Sequence, residues 1–179
     1  MTTSSDSLKD KAAAWFADAR ANPLFLRGVI GAVIVAALDQ ATKFWVVNVV
    51  DLPIKRHIEI SSIFDLTFTC NRGASFGMLA GGLGSRILLS SISIAIATVM
   101  LVWLGRLKRR FAAAGAALII GGALGNLHDR LRYGCVTDFL DFSGLMFPWI
   151  FNVADAAINV GFACLIIDAL RDKDGKSAS

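Results

Sequence analysis

Charged residues are scarce in this chain. Aspartate, glutamate, lysine and arginine together make up 18% of its 179 residues, whereas soluble domains carry about 25%. Hydrophobic residues make up 55%, and the mean hydropathy is +0.61. An apolar excess of this size indicates a membrane protein, and the length is that of one compact unit.

Cysteine and histidine are also scarce, which argues against a metal site. The three cysteines, Cys70, Cys135 and Cys164, form no C-x-x-C pair, and the two histidines are His57 and His128. Zinc sites are built from clusters of these residue types. We therefore expect no metal and no cofactor. An odd number of cysteines gives no disulfide framework, so we expect three free or buried thiols.

Four apolar segments are long enough to span a bilayer, which takes about 20 residues. They cover about residues 24–50, 87–107, 111–127 and 149–170. The third is short and rich in alanine and glycine, and such small residues allow membrane helices to pack closely. We expect an α-helical membrane protein whose four transmembrane helices form one domain over residues 24–170.

The polar segments around these spans set the expected orientation. Basic residues lie before and at the start of the first span, in and next to the second connection, and after the fourth span: Lys9, Lys11, Arg20, Arg27, Arg106, Lys108, Arg109, Arg110, Arg171, Lys173 and Lys176. The positive-inside rule places both termini in the cytoplasm and the connections 51–84 and 131–148 outside. Residues 1–23 fit a signal peptide poorly, so we expect a cytoplasmic or interfacial segment there and a cytoplasmic tail over 171–179.

The first outer connection has a strand pattern. The segments I-K-R-H-I-E-I (54–60) and I-F-D-L-T-F-T (63–69) alternate with a period of two and are rich in β-branched and aromatic residues. A glycine-rich stretch over 71–84 then interrupts the pattern. Its first tripeptide, Asn71–Gly73, is more often a turn than a site. We expect a small β-sheet on the outer surface of the membrane and a short loop or helix in the second outer connection.

The polar residues of the first span, and those at the end of the third, each have two possible interpretations. Asp39 and Lys43 stand four residues apart, so they share one helix face. They are either a structural ion pair within the bundle or a support for a site near the outer face. Asn126, Asp129 and Arg130 lie at the outer end of the third span. Asp129 beside Arg130 is typical of a charge-compensated cap or hinge, and a catalytic role is the alternative.

A carboxylate in the fourth span points most directly to function. Asp155 lies in the otherwise apolar run 151–167, where an ionisable side chain is costly. Together with Asn152 and Asn159 it forms one polar stripe, so hydrogen bonding inside the bundle is the alternative role. Asp138 is the nearest candidate partner. Two carboxyls in one apolar site hold one proton between them, as in aspartic proteases.

Five motifs, in order along the chain, resemble those of one family. They are D-Q-A-T-K (39–43), N-R-G-A-S-F-G (71–77), G-G-A-L-G-N-L-H-D-R (121–130), G-C-V-T-D-F (134–139) and F-N-V-A-D-A-A-I-N-V-G (151–161). The chain resembles the lipoprotein signal peptidases, or signal peptidase II, which are four-span aspartic proteases of the bacterial inner membrane. Ser75 departs from the pattern, since family members often have alanine there.

The resemblance implies that Asp138 and Asp155 are the catalytic dyad. Residues implied to bind substrate or support the site are Asp39, Lys43, Asn71, Arg72, Gly73, Asn126, Asp129, Arg130 and Asn152. The implied reaction removes the signal peptide from prolipoproteins by hydrolysing the bond before the diacylglyceryl-modified cysteine. The expected partners are these substrates and membrane lipids, and no nucleic acid. We expect a monomer whose site lies near the outer, periplasmic face.

A hypothesis from another class of protein is a small proton-coupled transporter or channel subunit. Aspartate and lysine within spans also mark ion pathways. Against this hypothesis, the ionisable residues inside the spans gather toward the outer side, whereas a pathway needs polar residues through the full depth of the membrane.

Overall fold

A computed structural model of the protein describes residues 4–73 and 82–177. Its helices are α1 (Ser4–Ala21), α2 (Pro23–Phe44), α3 (Leu52–Lys55), α4 (Leu83–Leu104), α5 (Arg110–Tyr133) and α6 (Val153–Ser177). Its strands are β1 (His57–Glu59), β2 (Asp65–Asn71), β3 (Val136–Asp141) and β4 (Ile150–Phe151). A π-helical turn, Trp45–Val49, extends α2, and a 3-10 turn, Ser143–Leu145, follows β3. Residues 74–81 of the glycine-rich stretch, including Ser75, lie outside the described residues.

The four predicted spans are confirmed as helices long and apolar enough to cross a membrane: Pro23–Val49, Leu83–Leu104, Arg110–Tyr133 and Val153–Asp172. The third runs on beyond its expected end at residue 127, and the polar Asp129 in this extension is buried inside the protein. The fourth begins later than expected, because Ile150 and Phe151 form a strand.

Helix α5 is the centre of the bundle. Of its most apolar stretch, 67% is buried, against 17–22% for the other three spans. Its small residues allow this packing, since a Cβ at Gly115 would lie 2.9 Å from the Gly161 carbonyl oxygen of α6. At Gly122, a Cβ would collide with the backbone carbonyl of Ala154, also in α6. The alanine- and glycine-rich third span is therefore the one that the other spans surround.

The strands form one antiparallel sheet in the order β1-β2-β3-β4. The sequence predicted the first two strands, but it placed a short loop or helix where β3 lies and the start of the fourth span where β4 lies. All four residues from Val136 to Phe139 are buried, so β3 lacks the alternation that marks a half-exposed strand. Its Phe139 packs with Val46 and Leu66 in a cluster that joins the sheet to the end of the first span.

The expectation of three unbonded thiols was wrong. Cys70 at the end of β2 and Cys135 just before β3 form a disulfide, with their Cα atoms 5.5 Å apart. These cysteines are 65 positions apart in the sequence, and it is the pairing of β2 with β3 that brings them together. Cys164 in α6 is a free thiol.

The N-terminal segment forms a helix that packs at the opposite end of the bundle from the sheet. Trp15 Nε1 in α1 donates to the Val102 carbonyl at 3.1 Å. Asn22 caps α2 by accepting the Leu24 N–H at 3.0 Å, and its Nδ2 donates to the Leu107 carbonyl at 2.9 Å. This segment therefore holds together the first span and the connection between α4 and α5.

Candidate active site

The start of α6 carries the first part of the site. Asn152 precedes the helix, and its Oδ1 accepts the Asp155 backbone N–H at 2.9 Å. In return, Asp155 Oδ2 accepts the Asn152 N–H at 3.3 Å. This reciprocal pair is a capping box, which satisfies N–H groups that the first helical turn leaves without partners. The sequence N-V-A-D thus begins the helix and holds the Asp155 carboxylate at its positively polarised end.

Asn152 also lies between the two candidate catalytic carboxyls. Its Nδ2 donates to Asp138 Oδ1 at 2.6 Å and to Asn126 Oδ1 at 3.2 Å. Asn126 in turn donates to Asp155 Oδ1 at 2.7 Å. Asp138 comes from β3 and Asp155 from α6, so two carboxyls from different elements share one asparagine as their neighbour.

The environment of Asp138 makes this carboxyl hard to ionise. The residue is 1% exposed. Burial, and then the nearby Asp155 carboxylate, raise the pKa of Asp138 to about 6, although hydrogen bonds from Asn71 and Asn152 favour its ionised form. Asp155 is half-buried. A carboxyl with a pKa this close to neutrality, next to a second carboxyl, is suited to acid–base chemistry.

A buried ion network lies beside the carboxyl pair. Lys43 Nζ contacts Asp39 Oδ2 at 2.8 Å and Asp129 Oδ2 at 3.1 Å, and none of the three side chains is more than 5% exposed. The expected Asp39–Lys43 ion pair is present, and Asp129 is a second carboxylate that contacts the same lysine. Lys43 Nζ also donates to Asn126 Oδ1 at 3.2 Å. Because Asn126 binds Asp155 as well, one side chain connects the network to the carboxyl pair.

Asp129 has partners in other elements besides its neighbour Arg130, the local partner that the sequence suggested. Besides Lys43 of α2, it accepts the Thr137 N–H at 3.0 Å, which ties α5 to β3. The adjacent Arg130 directs Nη1 toward Ser93 Oγ in α4, at 3.5 Å. Asp129 therefore belongs to the ion network, as a support for the strand that carries Asp138.

Sequence reasoning missed Gln40. Its Nε2 donates to Asp129 Oδ1 at 2.9 Å, to Asp39 Oδ2 at 3.1 Å and to the Gly125 carbonyl at 3.1 Å. The other oxygen of Asp39 accepts the Ala154 N–H at 2.9 Å, so this network also fixes the first turn of α6. The available signal was the position of Gln40 inside the motif D-Q-A-T-K.

Asn71 joins the turn after β2 to Asp138. Its Oδ1 accepts the Gly73 N–H at 2.9 Å, and its Nδ2 donates to Asp138 Oδ2 at 3.0 Å. Gly73 has a φ of +79°, and a Cβ there would collide with a neighbouring side chain. The tripeptide is therefore both a turn and part of the site. Arg72 is exposed beside it, and its carbonyl accepts the Ser85 hydroxyl at 3.0 Å.

The arrangement offers two carboxyls, one deeply buried and one half-buried, with every oxygen held by a hydrogen bond. Each carboxylate oxygen can accept a further hydrogen bond, so the pair can still bind a water molecule, and a protonated carboxyl can donate its O–H to a carbonyl oxygen. Two neighbouring carboxyls of this kind are the catalytic groups that aspartic proteases use. Within residues 4–73 and 82–177, no three histidine, cysteine, aspartate or glutamate side chains are grouped so that they could hold a metal ion.

A family model of signal peptidase (SPase) II matches residues 31–171. The chain belongs to the signal peptidase II family. Relatives named lipoprotein signal peptidase include a protein of Rhodopseudomonas palustris (strain TIE-1), 40% identical over 80% of this chain and 91% of its own length. Another, from Caulobacter vibrioides, is 39% identical over 81% of this chain and 87% of its own length.

Two solved structures described as bacterial membrane enzymes have the same fold as this signal peptidase II family member. Their TM-scores are 0.73 and 0.70, at 28% and 30% sequence identity. The matched regions cover 84% and 82% of this chain, and 91% and 94% of the two solved chains. The resemblance, the four-helix membrane fold and the expectation of a protease are thereby confirmed. The transporter hypothesis finds no support among these relatives.

Proposed function

We propose that this chain removes the signal peptide from prolipoproteins by hydrolysing the peptide bond before a diacylglyceryl-modified cysteine. The name that its relatives carry, lipoprotein signal peptidase, supports this class of substrate. The observation that carries the reaction is the pair of carboxyls, Asp138 and Asp155, held beside Asn152 at one end of a four-span bundle.

Asp138 and Asp155 act as the catalytic dyad. A water molecule between the carboxyls gives a proton to the ionised one and attacks the scissile carbonyl carbon. The protonated carboxyl donates a hydrogen bond to the carbonyl oxygen as that oxygen gains negative charge. A proton then passes to the leaving amine, and no covalent enzyme intermediate forms. The raised pKa of Asp138, about 6, supports a pair that holds one shared proton close to neutral pH.

The supporting residues keep the carboxyls oriented for this chemistry. Asn126 shows how, since its Oδ1 accepts hydrogen bonds from Lys43 and Asn152 and its Nδ2 is thereby turned toward Asp155. Arg130 adds a positive charge that acts on the pair. Because buried hydrogen bonds fix Asn126 and Asn152, the pair needs little rearrangement during the reaction.

The substrate approaches from the outer face of the bacterial inner membrane. Both termini lie in the cytoplasm, on the basis of the positive charges at the ends of the spans. The diacylglyceryl chains stay in the lipid while the signal peptide passes between the helices, and Arg72, exposed next to Asn71, is placed to contact the peptide. The chain works as a monomer, since a single copy supplies both carboxyls and the hydrogen-bond partners found for them among the described residues.

Cleavage of a diacylglyceryl-modified prolipoprotein by the purified full-length chain in lipid tests this function. Asp138→Asn and Asp155→Asn preserve side-chain shape, and each is expected to lower kcat/KM at least about a hundredfold, the usual cost of losing one acid–base group. Asp141→Asn on the same strand and Asp168→Asn on the same helix are matched controls that should retain most activity. Full activity in either dyad variant would remove that residue from the dyad.

A further inference from the structure

A disulfide bond joins the two strands that hold Asp138 in place. Cys70 lies at the end of β2 and Cys135 directly precedes β3, with their Cα atoms 5.5 Å apart. Asn71, which follows Cys70, donates its amide N–H to Asp138 Oδ2 at 3.0 Å. The covalent link therefore lies beside the hydrogen bond that reaches the buried carboxyl.

The strand pairing at this point is short. The register of β2 on β3 is irregular between Leu66 and Thr69, and the pairs beyond it run from Thr69 to Asn71. After Asn71 the chain turns away at Gly73. Strand ends held by few backbone hydrogen bonds open readily, so the pairing alone holds the Asn71 amide weakly. A crosslink at this end restricts that opening.

We propose that the Cys70–Cys135 disulfide is a positioning device for the reaction, which holds Asn71 against Asp138 so that the oxidised chain is the efficient peptidase. The proposal rests on the proposed catalytic role of Asp138. Forming the S–S bond removes two protons and two electrons from the thiols, and an external disulfide accepts them by thiol–disulfide exchange. Such bonds persist in the oxidising periplasm, the side on which the proposed orientation places the sheet.

A purely structural crosslink and a positioning device differ in what their loss does to Asp138. Burial and the Asp155 charge raise the pKa of Asp138, whereas the Asn71 amide lowers it by favouring the ionised form. Lys43 and Arg130 are the other charged groups that act on this carboxyl, and both lie on helices that the disulfide does not join. Loss of the disulfide is therefore expected to move the acid limb of the kcat/KM–pH profile to higher pH. A change in stability alone would not produce this shift.

The test compares Cys70→Ser, Cys135→Ser and the double variant with the wild type in prolipoprotein cleavage. In each variant we expect a roughly tenfold loss of kcat/KM, which is the effect of one charge-assisted hydrogen bond. We also expect the acid limb of the kcat/KM–pH profile to move to higher pH. Cys164→Ser, at the free thiol of α6, is the matched control and should change neither. A dithiol reductant should bring the wild type to the level of the double variant and leave the double variant unchanged.

Asn71→Ala decides whether the disulfide acts through the proposed contact. In that background, losing the disulfide should cause little further loss, since both changes abolish the same interaction. The proposal would be overturned if the losses from Asn71→Ala and from removal of the disulfide multiplied independently. It would also be overturned by an unshifted pH profile or by full activity of the reduced wild type. If the serine variants fail to fold, reduction of the folded wild type and of folded Asn71→Ala gives the same comparison. A wild type that cleaves no prolipoprotein would instead refute the proposed function.

Discussion

Asp138 occupies a place where an ionised carboxyl is costly. Its pKa in the folded protein is about 6, against 3.8 for an ordinary aspartate. As the pH rises through this interval, the unfolded chain releases its proton before the folded chain does. The folded state therefore loses stability across the interval and carries the full penalty above about pH 6.

We expect Asp138→Asn to gain stability relative to the wild type as the pH rises from about 4 to about 8, by roughly 1–3 kcal/mol. The hydrogen bonds changed by the substitution are changed at both pH values, so the comparison isolates the titration. Denaturant unfolding in detergent micelles at the two pH values measures the effect. An equal difference between variant and wild type at both would contradict the raised pKa.

Asp141 provides a control on the same strand. Its pKa lies below the ordinary value because the Thr67 hydroxyl donates to its carboxylate, at 2.6 Å. The stabilisation from this ionised group is complete above the ordinary aspartate pKa and is lost only as the pH falls through the lower folded value. Asp141→Asn should therefore alter stability by nearly the same amount at both pH values. A shift like that of Asp138→Asn would point to a property of the whole strand.

Single residues could be predicted from the sequence where their partners lie close along the chain. The spacing of Asp39 and Lys43 on one helix face predicted their ion pair, which the structure contains. Asp129 is different, because its contact with Lys43 depends on how α2 packs against α5. The Cys70–Cys135 bond likewise depends on strand pairing, and residue spacing carries no information about either arrangement.

At the scale of elements, the contact between α5 and α6 sets the position of Asp155. Gly122 allows this contact, since a Cβ there would collide with the Ala154 carbonyl. Ala154 precedes Asp155, and its N–H is bound by Asp39. Any outward displacement of Ala154 therefore moves the start of α6 and strains the hydrogen bonds that orient the carboxyl pair.

Gly122→Ala is expected to lower the free energy of unfolding by roughly 1–3 kcal/mol, as overpacking does, and to lower kcat at least about tenfold. Gly31→Ala is the matched control in another span, because a Cβ there lies 3.6 Å from the nearest heavy atom, Ala117 Cβ. Denaturant unfolding and prolipoprotein cleavage measure the two effects. Wild-type activity in Gly122→Ala would show that the start of α6 tolerates displacement.

The strands show why some elements could be predicted and others could not. Strands β1 and β2 are for the most part not fully buried, and their residues alternate, so the sequence reveals them. Strand β3 is buried on both faces from Val136 to Phe139, and a short buried run carries no period. The element that holds Asp138 was for this reason expected to be a loop or a short helix, although the residue itself was proposed as part of the dyad.

The whole molecule has two chemically different ends. At one end lie the sheet, the ion network and the carboxyl pair, where α2, α5, α6 and β3 meet. At the other end, α1 and Asn22 bind the α4–α5 connection, and that connection carries Arg106, Lys108 and Arg109. Concentration of positive charge at the end opposite the site is the arrangement expected when that end faces the cytoplasm.

Cysteine accessibility tests this orientation in cells. In a Cys164→Ser background, with Cys70 and Cys135 joined as the disulfide, an introduced cysteine is the reactive thiol. Ser143→Cys lies in the 3-10 turn at the sheet end, and we expect a membrane-impermeant maleimide to label it in intact spheroplasts. Lys108→Cys in the basic connection should be labelled only after permeabilisation. The reverse pattern would place the carboxyl pair on the cytoplasmic side, away from the periplasmic face where the substrate is proposed to be cleaved.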